Sequence, residues 1–118
     1  MYGISVDLPL QGFVGKECVQ IALGVSQIQF RFDDDHVISV EGGWEIVDAS
    51  GCRVDRTQNH SDRTAYHVHA ILESPVEAFR IDAPNSFTLC FQNGYALTVF
   101  DNSDDFESFS IQPEDHFA

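Results

Sequence analysis

Ile28-Gln29-Phe30-Arg31-Phe32-Asp33-Asp34-Asp35-His36-Val37-Ile38-Ser39-Val40 reads as a β-hairpin, and its pattern occurs twice. The second copy is Phe87-Thr88-Leu89-Cys90-Phe91-Gln92-Asn93-Gly94-Tyr95-Ala96-Leu97-Thr98-Val99. In both, apolar residues alternate with polar ones, a polar triplet interrupts, and the alternation resumes. Alternation places every second side chain on one face of a strand. A two-residue turn would set Phe91 opposite Ala96 and scramble that face. A three-residue turn, Gln92-Asn93-Gly94, pairs Phe91 with Tyr95, Leu89 with Leu97 and Phe87 with Val99. All the large apolar residues then share one side, as a half-buried sheet requires. Such a turn ends in a left-handed residue, which Gly94 supplies. In the first copy Phe32 pairs with His36, Phe30 with Ile38 and Ile28 with Val40, and Asp35 takes the left-handed position.

The duplication extends backward. Cys18 to Leu23 lies over Val76 to Ile81, with Ile21 over Phe79 and Leu23 over Ile81. Each copy therefore reads as strand, loop and hairpin, closed by a further strand: Trp44-Glu45-Ile46-Val47 in the first, Phe106 to Ile111 in the second. Between the copies, Asp48 to Arg63 is a polar surface loop. Ser61 or Asp62 can cap a short helix running through Ala65, Val68, Ile71 and Leu72 and stopping before Ser74-Pro75. The same residues, Ala65 to Leu72, also fit a strand. Met1 to Gly12 and Gln112 to Ala118 read as irregular. The expected fold is a single mainly-β domain, 1–118. It is built from duplicated antiparallel strand-hairpin units forming a sandwich or partly closed barrel, with one short helix between the repeats. Repeat one covers about 13–47, the loop and helix about 48–74, and repeat two about 75–111.

The totals agree with one domain. The chain has 118 residues, 43% of them hydrophobic and ten of them Phe. No run approaches the ~20 apolar residues of a membrane helix. The opening residues lack a basic segment followed by an apolar one, so no signal peptide is expected. Cys18, Cys52 and Cys90 are odd in number, which favours reduced thiols and a cytoplasmic location. The charge is −13, from 19 acidic and 6 basic side chains. That balance argues against nucleic acid and anionic lipid as partners and favours basic ones.

Catalytic and metal-binding patterns are weak. His67 and His69 share a face only on a strand, with His60 nearby, and no cysteine or carboxylate supports them at a zinc spacing. Asp101-Asn102-Ser103-Asp104-Asp105-Phe106-Glu107 loosely resembles the start of a calcium loop. It lacks glycine at the sixth position and glutamate at the twelfth. His36 sits at a hairpin rim without a nucleophile. By the alternation Cys18 and Cys90 both point away from the apolar side. No phosphate-binding loop, nucleophile elbow or dinucleotide fingerprint occurs. No metal, no cofactor and no catalytic residue is therefore expected.

The pattern of Val76, Leu89, Phe91, Gly94, Leu97 and Val99, followed by Glu107-Ser108-Phe109-Ser110-Ile111, resembles a group of small acidic bacterial β proteins of unassigned function. These are similar to immunity proteins of contact-dependent and polymorphic toxin systems. The resemblance implies a non-enzymatic protein that binds and blocks a cognate basic toxin, such as a nuclease. Independently of it, acids on loops are what a binder of a basic protein needs. The candidates are Asp33, Asp34, Asp35, Asp101, Asp104, Asp105 and Glu107. The rival reading is a small ligand-binding or enzymatic β domain, with a pocket between the sheets and His36, Tyr95 or Trp44 at its mouth.

Overall fold

The computed structural model describes residues 10–24, 27–57, 67–82, 85–100, 109–112 and 116–117. They form two five-stranded antiparallel sheets in a sandwich-like arrangement. The strands are β1 (Cys18–Leu23), β2 (Ile28–Phe32), β3 (Val37–Val40), β4 (Trp44–Val47), β5 (Arg53–Arg56), β6 (Val76–Asp82), β7 (Ser86–Phe91), β8 (Ala96–Phe100), β9 (Phe109–Gln112) and β10 (His116–Phe117). Sheet one runs β1-β2-β3-β9-β10 and sheet two runs β5-β4-β8-β7-β6.

These orders show something that strand assignment alone does not. Each repeat keeps its first three strands together and sends its fourth to the other sheet. β4, from the first repeat, pairs with β8, and β9, from the second, pairs with β3. The registers match residue for residue. Ile46 faces Leu97 and Trp44 faces Val99, while Ile111 faces Ile38 and Phe109 faces Val40. The molecule is thus a pseudo-two-fold pair of repeats with exchanged closing strands.

The symmetry reaches further back than 13 and 75. A single 3-10 turn at Gln11–Phe13 matches one at Val68–Ile71, each burying apolar residues against the core. Gly15 and Glu73 both adopt positive φ, at 88° and 65°. Gly15 N–H donates to the Val76 carbonyl, and Glu73 N–H donates to that of Cys18. Val14 bridges Val76 and Cys18 bridges Leu72, so each repeat's entry segment crosses to the other repeat. Glu17 and Pro75, which correspond to each other, bridge directly. Phe32 and Phe91 also correspond to each other, and their rings stack 6.4 Å apart. The pseudo-two-fold axis runs between these pairs.

The hairpins form as the alternation requires. Phe32 N–H donates to the His36 carbonyl and Phe91 N–H to that of Tyr95, which closes three-residue turns in both. Gly94 has φ 92° and Asp35 has φ 63°, with Asp34 also left-handed at 59°. Phe30, Phe32, Ile38, Val40, Phe87, Leu89, Phe91, Leu97 and Val99 are all buried in one core.

Several expectations are corrected. The polar stretch 48–63 contains β5, an edge strand beside β4. It escapes a hydrophobic pattern because its inward residue is Asp55, opposite Ile46. Asp55 is buried and accepts the N–H groups of Arg56 at 2.8 Å and His67 at 2.7 Å. Inward acids on edge strands are a known device against edge-to-edge pairing. The described part of the expected helix is only the 3-10 turn Val68–Ile71, and 61–66 lie outside the described residues. Spacing of three between Val68 and Ile71 fits one 3-10 turn as well as it fits an α-helix. Leu72 then extends to reach Cys18. The ends are not wholly irregular: Leu10 is buried, and β10 pairs with β9. Cys18 does not point outward. The β1–β2 ladder skips Val19, so Cys18 faces Phe32 and is fully buried. The β6–β7 ladder has the same bulge after Val76.

Candidate functional site

Both hairpin tips lie at one end of the sandwich, on either side of the Glu17–Pro75 bridge. At the first tip, Asp33 is half-buried, and its carboxylate accepts the Glu17 N–H at 3.1 Å. Asp33 N–H in turn donates to the Glu17 carbonyl at 3.2 Å. This acid therefore ties the turn to the entry segment. Asp34 is exposed and forms an ion pair with Lys16, which holds its carboxyl below the usual aspartate range. Asp35 is exposed, with its backbone left-handed. The second tip uses neutral groups at corresponding positions. Asn93 N–H donates to Ser74 Oγ at 3.1 Å, and Asn93 Nδ2 donates to the Ala70 carbonyl at 2.9 Å. Ser74 and Asn93 occupy the places of Lys16 and Asp34.

The entry segments bring further acids to this end. Glu17 precedes β1, Glu73 follows the Val68–Ile71 turn, and Glu77 starts β6 beside Val76. Together with Asp33, Asp34 and Asp35 they make six carboxylates around the pseudo-axis, with Lys16 as the cation among them. Sequence reasoning missed Glu17, Glu73 and Glu77 because it sought acids on turns and loops beyond the strands: Glu73 fell in the expected loop and helix, and Glu17 and Glu77 beside the first strands of the repeats. The usable signal was the repeat itself, which sets Lys16-Glu17-Cys18 over Ser74-Pro75-Val76.

The other candidates, Asp101, Asp104, Asp105 and Glu107, lie outside the described residues. Their flanking residues are informative. Ser86 pairs with Phe100, and Phe109 pairs with Val40, both at the end opposite the tips. Phe100 and Phe109 therefore lie at the end opposite the tips.

His36, Tyr95 and Trp44 do not share a mouth. His36 and Tyr95 sit at the tip end. Trp44 is buried opposite Val99, at the other end of β8 from Tyr95, with its ring 5.9 Å from Phe30. The His36 ring packs edge-on against Phe13 at 4.9 Å. A shallow depression of about 90 Å³, lined by Gln27, Ser39, Glu41, Phe109 and Ser110, opens elsewhere, by β3 and β9. It is smaller than the ~300 Å³ of ordinary ligand sites.

The His67 and His69 rings are 6.4 Å apart, and among the described residues no three metal-ligating side chains gather. Burial pushes the Cys18 thiol up to about 12, which suppresses the nucleophilic thiolate at neutral pH. No described helix is long and apolar enough to cross a membrane. Comparison with protein-family models, with curated proteins and with solved structures gives no significant match to this chain.

Proposed function

We propose that this chain is a binding protein of the immunity type, which docks its acidic tip end against a basic toxin domain and blocks it. The observation that supports this reading best is the gathering of six carboxylates at one end of the sandwich, in a chain of net charge −13. Placed against a basic cleft, such as that of a nuclease, these carboxylates stand in for substrate phosphates. Steering by the net charge speeds the encounter. The three free thiols suit a reducing, cytoplasmic setting. Asp33 and Asp34 serve the turn as well as the surface. Asp35, Glu73 and Glu77 are the acids most available to a partner, and Asp101, Asp104, Asp105 and Glu107 form a separate candidate group.

The direct test is capture of the product of the adjacent upstream gene, with rescue of its toxicity on co-expression. Binding should slow markedly as salt rises, because screening shortens the reach of the attraction. A D35N/E73Q/E77Q variant should bind more weakly with an unchanged melting temperature. A D101N/D104N/D105N/E107Q variant tests the second candidate group. If the gene product neither binds nor loses toxicity, the immunity reading fails.

A further inference from the structure

The pseudo-two-fold symmetry supplies an internal control for one pair of sheet edges, β1 and β6. Both are terminal strands of their sheets, both carry the same bulge, and among the described residues both are bridged to the other repeat only at their first residue. Their side chains differ sharply. β6 reads Val-Glu-Ala-Phe-Arg-Ile-Asp, with exposed Glu77, Arg80 and Asp82 and an Arg80–Asp82 ion pair at 3.0 Å. Charges on an edge discourage another strand from pairing with it. β1 reads Cys-Val-Gln-Ile-Ala-Leu and has no charge at all. It also carries both large hydrophobic residues that stand exposed among those described, Val19 at 56% and Leu23 at 50%. One edge is guarded and its counterpart is bare.

We infer that the outer edge of β1, which no described strand pairs, is a self-association surface, pairing antiparallel with β1 of a second copy of this chain. A two-fold pairing centred on Ile21 sets Val19 of each copy opposite Leu23 of the other. It extends sheet one across both molecules and covers both exposed residues. Charge selects this occupant over a basic protein. A basic partner gains nothing from six uncharged residues when acidic surface is available nearby. A second copy carries the same −13 and is repelled by acidic surface, so an uncharged edge is where it can approach. The antiparallel arrangement also keeps the acidic tips apart. β1 starts at the tip end, so the two tips lie at opposite ends of the paired strands. The six residues of β1 span about 20 Å, roughly two Debye lengths at physiological salt. This surface is distinct from the acidic tip end, and the proposal stands whether or not that end binds a toxin.

Sedimentation of the full chain over a concentration series tests it. The expected result is a reversible monomer–dimer equilibrium that strengthens as salt rises, because screening relieves the repulsion between like-charged copies. The V19K/L23K variant should remain monomeric with its melting temperature nearly unchanged. These lysines lower the net negative charge, so general repulsion cannot account for loss of the dimer; like charges facing across the two-fold can. A monomer at every concentration overturns the proposal, and so does a dimer that survives V19K/L23K. A monomer whose binding to a different protein is lost in V19K/L23K overturns it too, and assigns the edge to that protein instead.

Discussion

The two repeats perform the same structural task with different chemistry. At the first tip, turn and entry segment are joined by an Asp33 carboxylate and a Lys16–Asp34 ion pair. At the second, Ser74 and Asn93 make neutral hydrogen bonds at the corresponding places. The left-handed position is Asp35 in one and Gly94 in the other. One half thus carries charge and backbone strain that the other avoids by using small neutral residues. Charge at the first tip is therefore not a requirement of the turn, since the second turn closes without it. That contrast is consistent with the proposal that the acids of the first tip serve a partner.

The strongest test of the equivalence lies in the core. Phe30 and Leu89 occupy corresponding, fully buried positions. Phe30→Ala and Leu89→Ala should each cost about 2–5 kcal/mol in denaturant melts. A loss confined to one of them would break the equivalence.

The turns should respond in opposite directions. A Cβ on Gly94 would meet the Ala49 Cβ at 2.7 Å, on a backbone at φ 92°. Gly94→Ala should therefore destabilise by about 1–3 kcal/mol. Asp35→Gly relieves a left-handed non-glycine residue and should stabilise by up to about 1 kcal/mol. Thermal melts of both variants would show whether the strain is real.

Cys18 stands where the second repeat has Val76, and its thiol is raised from 9.0 to about 12. The folded state thus keeps a proton that the unfolded state releases. The contribution of this thiol is complete below pH 9 and lost progressively as pH rises from 9 towards 12. Cys18→Val should flatten that alkaline loss while changing neutral stability by less than about 1 kcal/mol. In the unsubstituted chain, exposed Cys52 should react with a thiol reagent at once and Cys18 only on unfolding.

The smallest effect concerns the tip charges. Asp34 is held below the ordinary aspartate range mainly by its hydrogen bond and ion pair with Lys16. That contribution is present above the unfolded pKa and disappears as pH falls through the folded one. Because the pair is exposed, its effect on stability should be small. A carboxyl titration by NMR should show the low midpoint, and Lys16→Met should return it towards the usual value. An unmoved midpoint would remove Lys16 as its cause.

The hairpins were legible in the sequence because period-two alternation and turn residues are local signals. Cys18 was misplaced because a bulge shifts facing by one residue without altering composition. β5 was missed because its inward residue is an acid held by backbone N–H groups. The exchange of β4 and β9 leaves no mark in either strand. β3 and β8 offer nearly the same alternating edge, so Trp44-Glu45-Ile46-Val47 matches both. Which edge it takes is set by the packing of the whole molecule. The acids at 33–35 could be read directly. Glu73 reached the same end through the entry-segment crossing, and Glu77 through the β6–β7 ladder.

That exchange also governs how the molecule is made. Strand β3 waits for β9, whose Gln112 must come back to Val37 across most of the chain. During synthesis the first repeat therefore emerges with one side of its sheet unpaired, and it stays so until the second repeat supplies the missing strand. Pairings so distant in sequence are slow to form. Arrays of stacked repeats can be shortened a unit at a time. Here the two repeats are knitted together, and removing either leaves the other with an open seam.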